Sequence, residues 1–242
     1  MRCIMEKKQG GKPKMIKLGK NDILLFQGDS ITHGNRVESD WDMNHVLGHG
    51  YQFILAGKIG LDNYKTCPKI VNRGISGDTI VKIYARSDED VLDVHPTVLS
   101  ILTGVNDCEC AYGGVHTLPD VDAYERCYRK LLDKALAQNG SLKLIMCEPF
   151  RFMSPRAEEG TEFYAKNEWC VKYTPEYAAS VRKIAHDYGA VFVPFAEKLK
   201  KYVDESGKAD YVVWDGIHPT YVGHEIMAQV WYDAVDKSGI LK

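Results

Sequence analysis

Five short apolar runs alternating with helical patterns predict an α/β protein, with a mostly parallel sheet and helices on both faces. The runs cover residues 23–27, 70–72, 98–103, 142–147 and 191–194. Between them, apolar residues recur at the 3.6-residue period of a helix. The third observation is an asymmetry of the connections. Those following helices are short (93–97, 139–142, 189–191), and those following strands are long (32–50, 105–121, 149–173). The long loops therefore gather at the C-terminal edge of the strands, where open α/β sheets bind ligands.

The first run, Ile23-Leu24-Leu25-Phe26-Gln27, reads as a buried strand that stops on Gly28 and delivers Ser30 to that edge. Over 122–138, Tyr124, Cys127, Tyr128, Leu131, Leu132, Ala135 and Leu136 share one helical face. Tyr177, Val181, Ile184, Ala185 and Tyr188 form a second such face, with Thr174-Pro175 as its expected start and Gly189 as its stop. The last helix shows Val222, Ile226, Val230 and Ala234. No repeat, low-complexity tract or interdomain linker interrupts the pattern. Residues 21–242 are expected to form a single domain behind an N-terminal extension, 1–20.

The hydrophobic fraction of 45% over 242 residues suffices for a core. A net charge of −2 gives no electrostatic reason to expect nucleic acid or a membrane surface as partner. No apolar stretch approaches the roughly 18–20 residues of a transmembrane helix. The basic, polar stretch 1–20 lacks the apolar middle of a signal peptide, so the chain as given reads as cytoplasmic, with a removed signal as the alternative. Seven cysteines are scattered along the chain, and Cys108-Glu109-Cys110 is the only close pair. It lacks a second pair at zinc-site spacing, so reduced thiols and no metal are expected.

Two segments carry chemistry. Gly28-Asp29-Ser30-Ile31-Thr32 places a candidate nucleophile at the sheet edge, and Trp214-Asp215-Gly216-Ile217-His218-Pro219 offers an acid and a histidine three residues apart. In a tight turn that spacing brings a carboxylate to His218 Nδ1 and leaves Nε2 to accept the Ser30 proton. Pro219 biases His218 away from helical geometry, just ahead of the terminal helix. A solvated polar turn is the alternative. Asn72-Arg73-Gly74-Ile75-Ser76-Gly77-Asp78-Thr79 follows the second strand, and Thr103-Gly104-Val105-Asn106-Asp107 follows the third. Acyl transfer needs donors aimed at a developing oxyanion, and the Ser30 N–H, the Gly77 N–H and the Asn106 amide would supply three. A plain turn glycine and a helix cap are the other readings of Gly77 and Asn106.

Taken together, the four blocks around Ser30, Gly77, Asn106 and Asp215–His218 resemble the SGNH (GDSL-type) hydrolase family, over about 22–235. The resemblance implies a flavodoxin-like three-layer α/β/α sandwich with a five-stranded parallel sheet. It also implies Ser30 as nucleophile, Asp215 and His218 as the rest of a triad, and Ser30, Gly77 and Asn106 around the oxyanion. No metal or organic cofactor is needed for that chemistry. The first block departs from the family's pattern only in reading Gly-Asp-Ser-Ile instead of Gly-Asp-Ser-Leu. The absence of Gly-x-Ser-x-Gly argues against the α/β-hydrolase elbow.

Within the family the details look most like acetylxylan esterase-type carbohydrate esterases, notably 72–79, 84–91, Glu148-Pro149-Phe150 and His218-Pro219-Thr220. The implied partner is a small-molecule or oligosaccharide ester, with a homo-oligomer as a further expectation. Trp41, Tyr112, Phe152, Phe163, Tyr164 and Trp169 fall in the long loops, where they either stack on sugars or pack the loops. Candidate substrate contacts are Asp29, Arg73 and Trp214. A structural hydrogen-bonding role is the stronger reading of Asp29, and Arg73 contacts substrate or pairs with a carboxylate. His33, His45, His49, His116 and His224 read as loop or helix-surface residues. A lysophospholipase or thioesterase on the same triad, and a silent carbohydrate-binding relative, are the alternatives.

Overall fold

The computed structural model describes residues 15–39, 41–112 and 120–242; Cys3 and His116 lie outside them. Strands β1 (Ile23–Gly28), β2 (Lys69–Asn72), β3 (Val98–Leu102), β4 (Lys143–Cys147) and β5 (Val191–Val193) form one sheet, each within a residue or two of its expected place. All pairings are parallel, in the order β2-β1-β3-β4-β5, and Phe26 lies between Asn72 and Ser100 in register. This is the doubly wound order in which the direction of strand addition reverses between β1 and β3, opening a crevice at their C-terminal ends.

The early helices are α1 (Ser30–His33), α2 (Tyr51–Asp62), α3 (Ile80–Ala85), α4 (Val105–Ala111) and α5 (Val121–Gln138). A π-helical turn, Asp88–Leu92, precedes β3. The later ones are α6 (Glu162–Asp187), α7 (Phe195–Ser206), α8 (Ala209–Val212) and α9 (Tyr221–Ser238).

Alternation along the strands divides the apolar residues between two cores. Leu24 and Phe26 pack with α2, α7 and α9 on one face, and Leu25 packs with α3, α5 and α6 on the other. A strand buried on both faces has no polar side, which is why β1 reads as a continuous apolar run. The result is the three-layer α/β/α sandwich. Trp231 anchors the first core: its ring lies 5.7 Å from Phe26, and its indole N–H donates to Ser100 Oγ at 3.0 Å. At the chain's described start, Ile16 and Leu18 are buried in this core, and the Lys17 N–H donates to the Leu241 carbonyl at 2.7 Å. The last residues of the expected extension thus pack against the sandwich.

Three local expectations are corrected. Thr174-Pro175 does not start a helix. Helix α6 begins at Glu162, capped by Thr161 Oγ1 accepting the Tyr164 N–H at 3.1 Å, and runs through Pro175. Proline costs the helix one hydrogen bond, but the buried stripe through Cys170, Thr174, Tyr177 and Val181 spans that point, and packing outweighs the loss. The stretch 105–121, expected as loop, opens with α4. His224, expected on a surface, is buried and accepts the Tyr51 N–H on Nδ1 at 3.1 Å, at the start of α2. Burial holds its imidazole down to about 4, so it is neutral at physiological pH. No helix among the described residues is long and apolar enough to cross a membrane.

Candidate active site

Ser30 leaves the C-terminal end of β1 as the first residue of α1. Gly28 makes the approach possible. A Cβ there would stand 2.3 Å from the Leu102 carbonyl oxygen and 2.7 Å from Thr32 Oγ1, so only glycine lets β1 pass so close to β3 and to α1. Asp29 caps α1, accepting the Ile31 N–H at 3.0 Å. It is only 1% exposed, and burial pushes its carboxyl up to about 7 against the opposing pull of that N–H. Asp29, named above among candidate substrate contacts, is therefore closed off from the surface and works as a cap, in line with its structural reading.

Asp215 and His218 lie between α8 and α9 in a loop closed at its base. Val213 pairs antiparallel with Pro219, and the Trp214 N–H donates to the His218 carbonyl at 3.1 Å. One Asp215 oxygen accepts the N–H groups of Ile217 (2.9 Å) and His218 (2.7 Å), and the other meets His218 Nδ1 at 2.7 Å. His218 Nε2 is 2.8 Å from Ser30 Oγ. Gly216 sits at φ +89°, where a Cβ would lie 2.4 Å from the Phe152 carbonyl oxygen. Its own carbonyl accepts the Phe152 N–H at 2.9 Å, so the loop after β4 braces the 215–218 turn.

This arrangement moves both titrations. Burial alone would raise the Asp215 carboxyl, but the His218 ring and the two backbone N–H groups outweigh it and hold it down to about 2. The Asp215 hydrogen bond raises His218 above its ordinary 6.5, against desolvation. With Nδ1 on a carboxylate, the neutral ring keeps its proton there and leaves Nε2 as an acceptor facing the serine hydroxyl.

Strands β2 and β3 flank β1, so the loops carrying Gly77 and Asn106 stand on either side of Ser30. The Ile75 N–H donates to the Gly28 carbonyl at 3.0 Å, tying the first of these loops to the end of β1. Gly77 is exposed, and a Cβ built on it would meet nothing within 4 Å, so its backbone borders open space. Asn106 lies in the first turn of α4 and donates one amide proton to the Asp78 carbonyl at 2.9 Å, leaving the other free. Asp107 accepts the Ile80 N–H at 2.9 Å and fastens α4 to the start of α3. Burial pushes its carboxyl up to about 7. The motif that contains Asp107 was visible in the sequence, but nothing in its spacing marked the carboxylate as a bracket.

Of the remaining candidates, Trp214 is 40% exposed, lies stacked on the His218 ring at 6.2 Å, and carries the Arg156 guanidinium 4.6 Å from its ring centre. Arg73 stands with its Nε 3.7 Å from Asp90. Tyr112 and Trp169 pack on each other at 5.7 Å, and Phe152 lies 6.0 Å from Phe150, so these loop aromatics serve packing. Trp41 and Phe163 remain exposed. His33 Nδ1 meets Ser76 Oγ at 2.9 Å, beside the Gly77 loop, while His45 pairs with Asp42 at the surface.

A flavodoxin-like sandwich with a serine, a histidine and a carboxylate linked at the strand ends defines a class of hydrolase. The chain belongs to the GDSL-like lipase/acylhydrolase family, whose model matches residues 26–226. An acetylxylan esterase of Geobacillus stearothermophilus is 30% identical over 230 residues, covering 89% of this chain and 94% of its own. The crystal structure of that organism's acetylxylan esterase superposes with a TM-score of 0.72 at 26% identity, over 91% of this chain and 96% of that one. A Parabacteroides merdae structure described as a GDSL-like lipase gives 0.81 at 31% identity, over 93% and 99%. Variants of the Geobacillus esterase described as catalytic mutants replace a serine, an aspartate and a histidine, the last two three positions apart. Another replaces the tryptophan directly before that aspartate. The chain is thus a carboxylic ester hydrolase, similar to an acetylxylan esterase.

Proposed function

We propose that this esterase removes acetyl and other short acyl groups from carbohydrates, through a triad of Ser30, His218 and Asp215 and an acyl-enzyme. The observation that carries the reading is the chain of contacts from Ser30 Oγ to His218 Nε2 (2.8 Å) and from His218 Nδ1 to Asp215 (2.7 Å). Ser30 Oγ attacks the ester carbonyl while His218 takes its proton. The oxyanion of the tetrahedral intermediate accepts the N–H groups of Ser30 and Gly77 and the free amide proton of Asn106. His218 then protonates the ester oxygen of the sugar as the C–O bond breaks, so that it leaves as a hydroxyl, and a water deprotonated by the same ring releases acetate.

The carbohydrate side is supported by the likeness to the Geobacillus acetylxylan esterase, whose catalytic aspartate and histidine, spaced as Asp215 and His218 are, support the triad. Trp214 stands directly before the acid, as the replaced tryptophan does there, and its partly exposed ring puts an aromatic group next to His218, where a sugar would dock.

The test is hydrolysis of p-nitrophenyl acetate, butyrate and octanoate and of acetylated xylo-oligosaccharide, by wild type and Ser30→Ala. Turnover of acetate and the acetylated sugar, lost in the variant, is the expected outcome. Preference for octanoate would move the substrate to lipid or thioester acyl groups, and full activity in Ser30→Ala would remove the triad.

A further inference from the structure

Asp78 touches both sides of the oxyanion region at once. It directly follows Gly77, and its backbone carbonyl accepts the Asn106 amide at 2.9 Å. Its own N–H donates to the Ile75 carbonyl at 3.2 Å, closing the turn that presents Gly77. Its side chain points the other way, is 6% exposed, and is gripped by Arg86 at the C-terminal end of α3. The same Arg86 nitrogen that grips Asp78 reaches the carbonyl of Arg73 at 3.4 Å and Gln27 Oε1 at 3.3 Å. Gln27 Oε1 in turn accepts the Gly28 N–H at 2.9 Å. The other terminal nitrogen of Arg86 holds Asp90, which also stands 3.7 Å from Arg73.

We infer that Arg86 is a positioning residue for the oxyanion hole, fixing Gly77 and Asn106 through Asp78. This rests on the reading of those two residues as oxyanion donors. Arg86 joins the start of the Gly77 loop (the Arg73 carbonyl), its far side (Asp78) and the end of the nucleophile strand (Gln27). A planar, five-donor guanidinium can serve these partners together, whereas an ammonium is a point charge on a flexible stem. Arg86 and Lys82 both act on the Asp78 carboxylate, and Arg36 also faces Arg73, Arg86 and Asp90, so the charge on Asp78 is compensated away from water. Because Asp78 carries one donor on its chain neighbour and the other on its carbonyl, a shift of its side chain displaces both donors. Electrostatic stabilisation of a transition state is lost steeply with such displacement.

The experiment compares wild type with Arg86→Lys, Arg86→Ala and Asp78→Asn on p-nitrophenyl acetate. Inhibition by phenylboronic acid, whose boron takes up Ser30 Oγ to give a tetrahedral anion, is measured in parallel. Arg86→Lys and Asp78→Asn keep the size of the cluster and serve if Arg86→Ala does not fold. The expected result is kcat lower by about 10–100-fold, KM within about twofold, and boronate inhibition weakened by a similar factor, with unchanged far-UV circular dichroism. Wild-type kcat in folded Arg86→Lys and Asp78→Asn overturns the inference, as does a loss confined to KM. Ser30→Ala separates the levels. If it is inactive while the Arg86 and Asp78 variants are normal, only this inference fails; if it is fully active, the mechanism beneath fails as well.

Discussion

Asp215 holds His218 at two points, through the backbone N–H at 2.7 Å and through ring Nδ1 at 2.7 Å, one with each carboxylate oxygen. One side chain thus sets both where the imidazole stands and which of its nitrogens carries the proton. A three-residue spacing suffices because the turn between them is closed by its own backbone, leaving the ring little freedom to swing from Ser30.

Asp215→Asn keeps the shape of this bracket but can turn an amide N–H toward Nδ1, which favours the wrong imidazole tautomer. Steady-state assays of p-nitrophenyl acetate should show kcat lower by about 10⁴-fold with KM little changed. A loss below about tenfold would mean that His218 is oriented without the carboxylate.

The pH profile follows from the raised His218. As a general base the ring must be neutral, so kcat/KM should fall as pH drops through a value above 6.5. Asp215→Ala removes the hydrogen bond that favours the imidazolium, so the acid limb of its residual activity should move to lower pH. An unmoved limb would assign the titration to another group.

Stability carries the same linkage with opposite signs. His218, raised on folding, contributes stability that is complete below its ordinary 6.5 and is lost as pH rises through the higher folded value. Asp215, held down to about 2, contributes above its ordinary 3.8 and loses that contribution as pH falls toward 2. Urea unfolding of wild type and Asp215→Ala should therefore differ most between these two ranges and converge at the acid end.

Asn106→Ala deletes one proposed oxyanion donor and leaves the Asp78 carbonyl to water. The expected cost is about 100–1000-fold in kcat. Turnover at the wild-type rate would leave the oxyanion to Ser30 and Gly77 alone.

Trp231→Ala should destabilise the fold by about 3–5 kcal/mol in urea unfolding, because a fully buried indole packed on Phe26 leaves a cavity. Trp231→Phe keeps most of the volume but takes the donor from Ser100 Oγ, a loss of about 1–3 kcal/mol. Equal losses in the two variants would put the energy in the hydrogen bond instead of the packing.

What the sequence determined by itself was whatever is local or repeated. The central strands announce themselves because burial on both faces leaves them largely apolar, and Asp215 and His218 because three residues span one turn. Gly28 and Ser30 are legible together, since a strand that stops on glycine must turn there. Tertiary structure decided the rest. Pro175 looks like a helix start, and only the buried stripe of α6 carries the chain through it. Asp29 and His224 look exposed by residue type, yet the packing of β1 and α9 closes over them and shifts both titrations. Arg86 lies in the 84–91 stretch noted above and meets Asp90 one helical turn on, but its links to Gln27 at the end of β1 and to Arg73 and Asp78 in the loop after β2 have no local signature. Their meeting depends on which strands lie side by side, and that is a property of the folded sheet, invisible to any local pattern of residues.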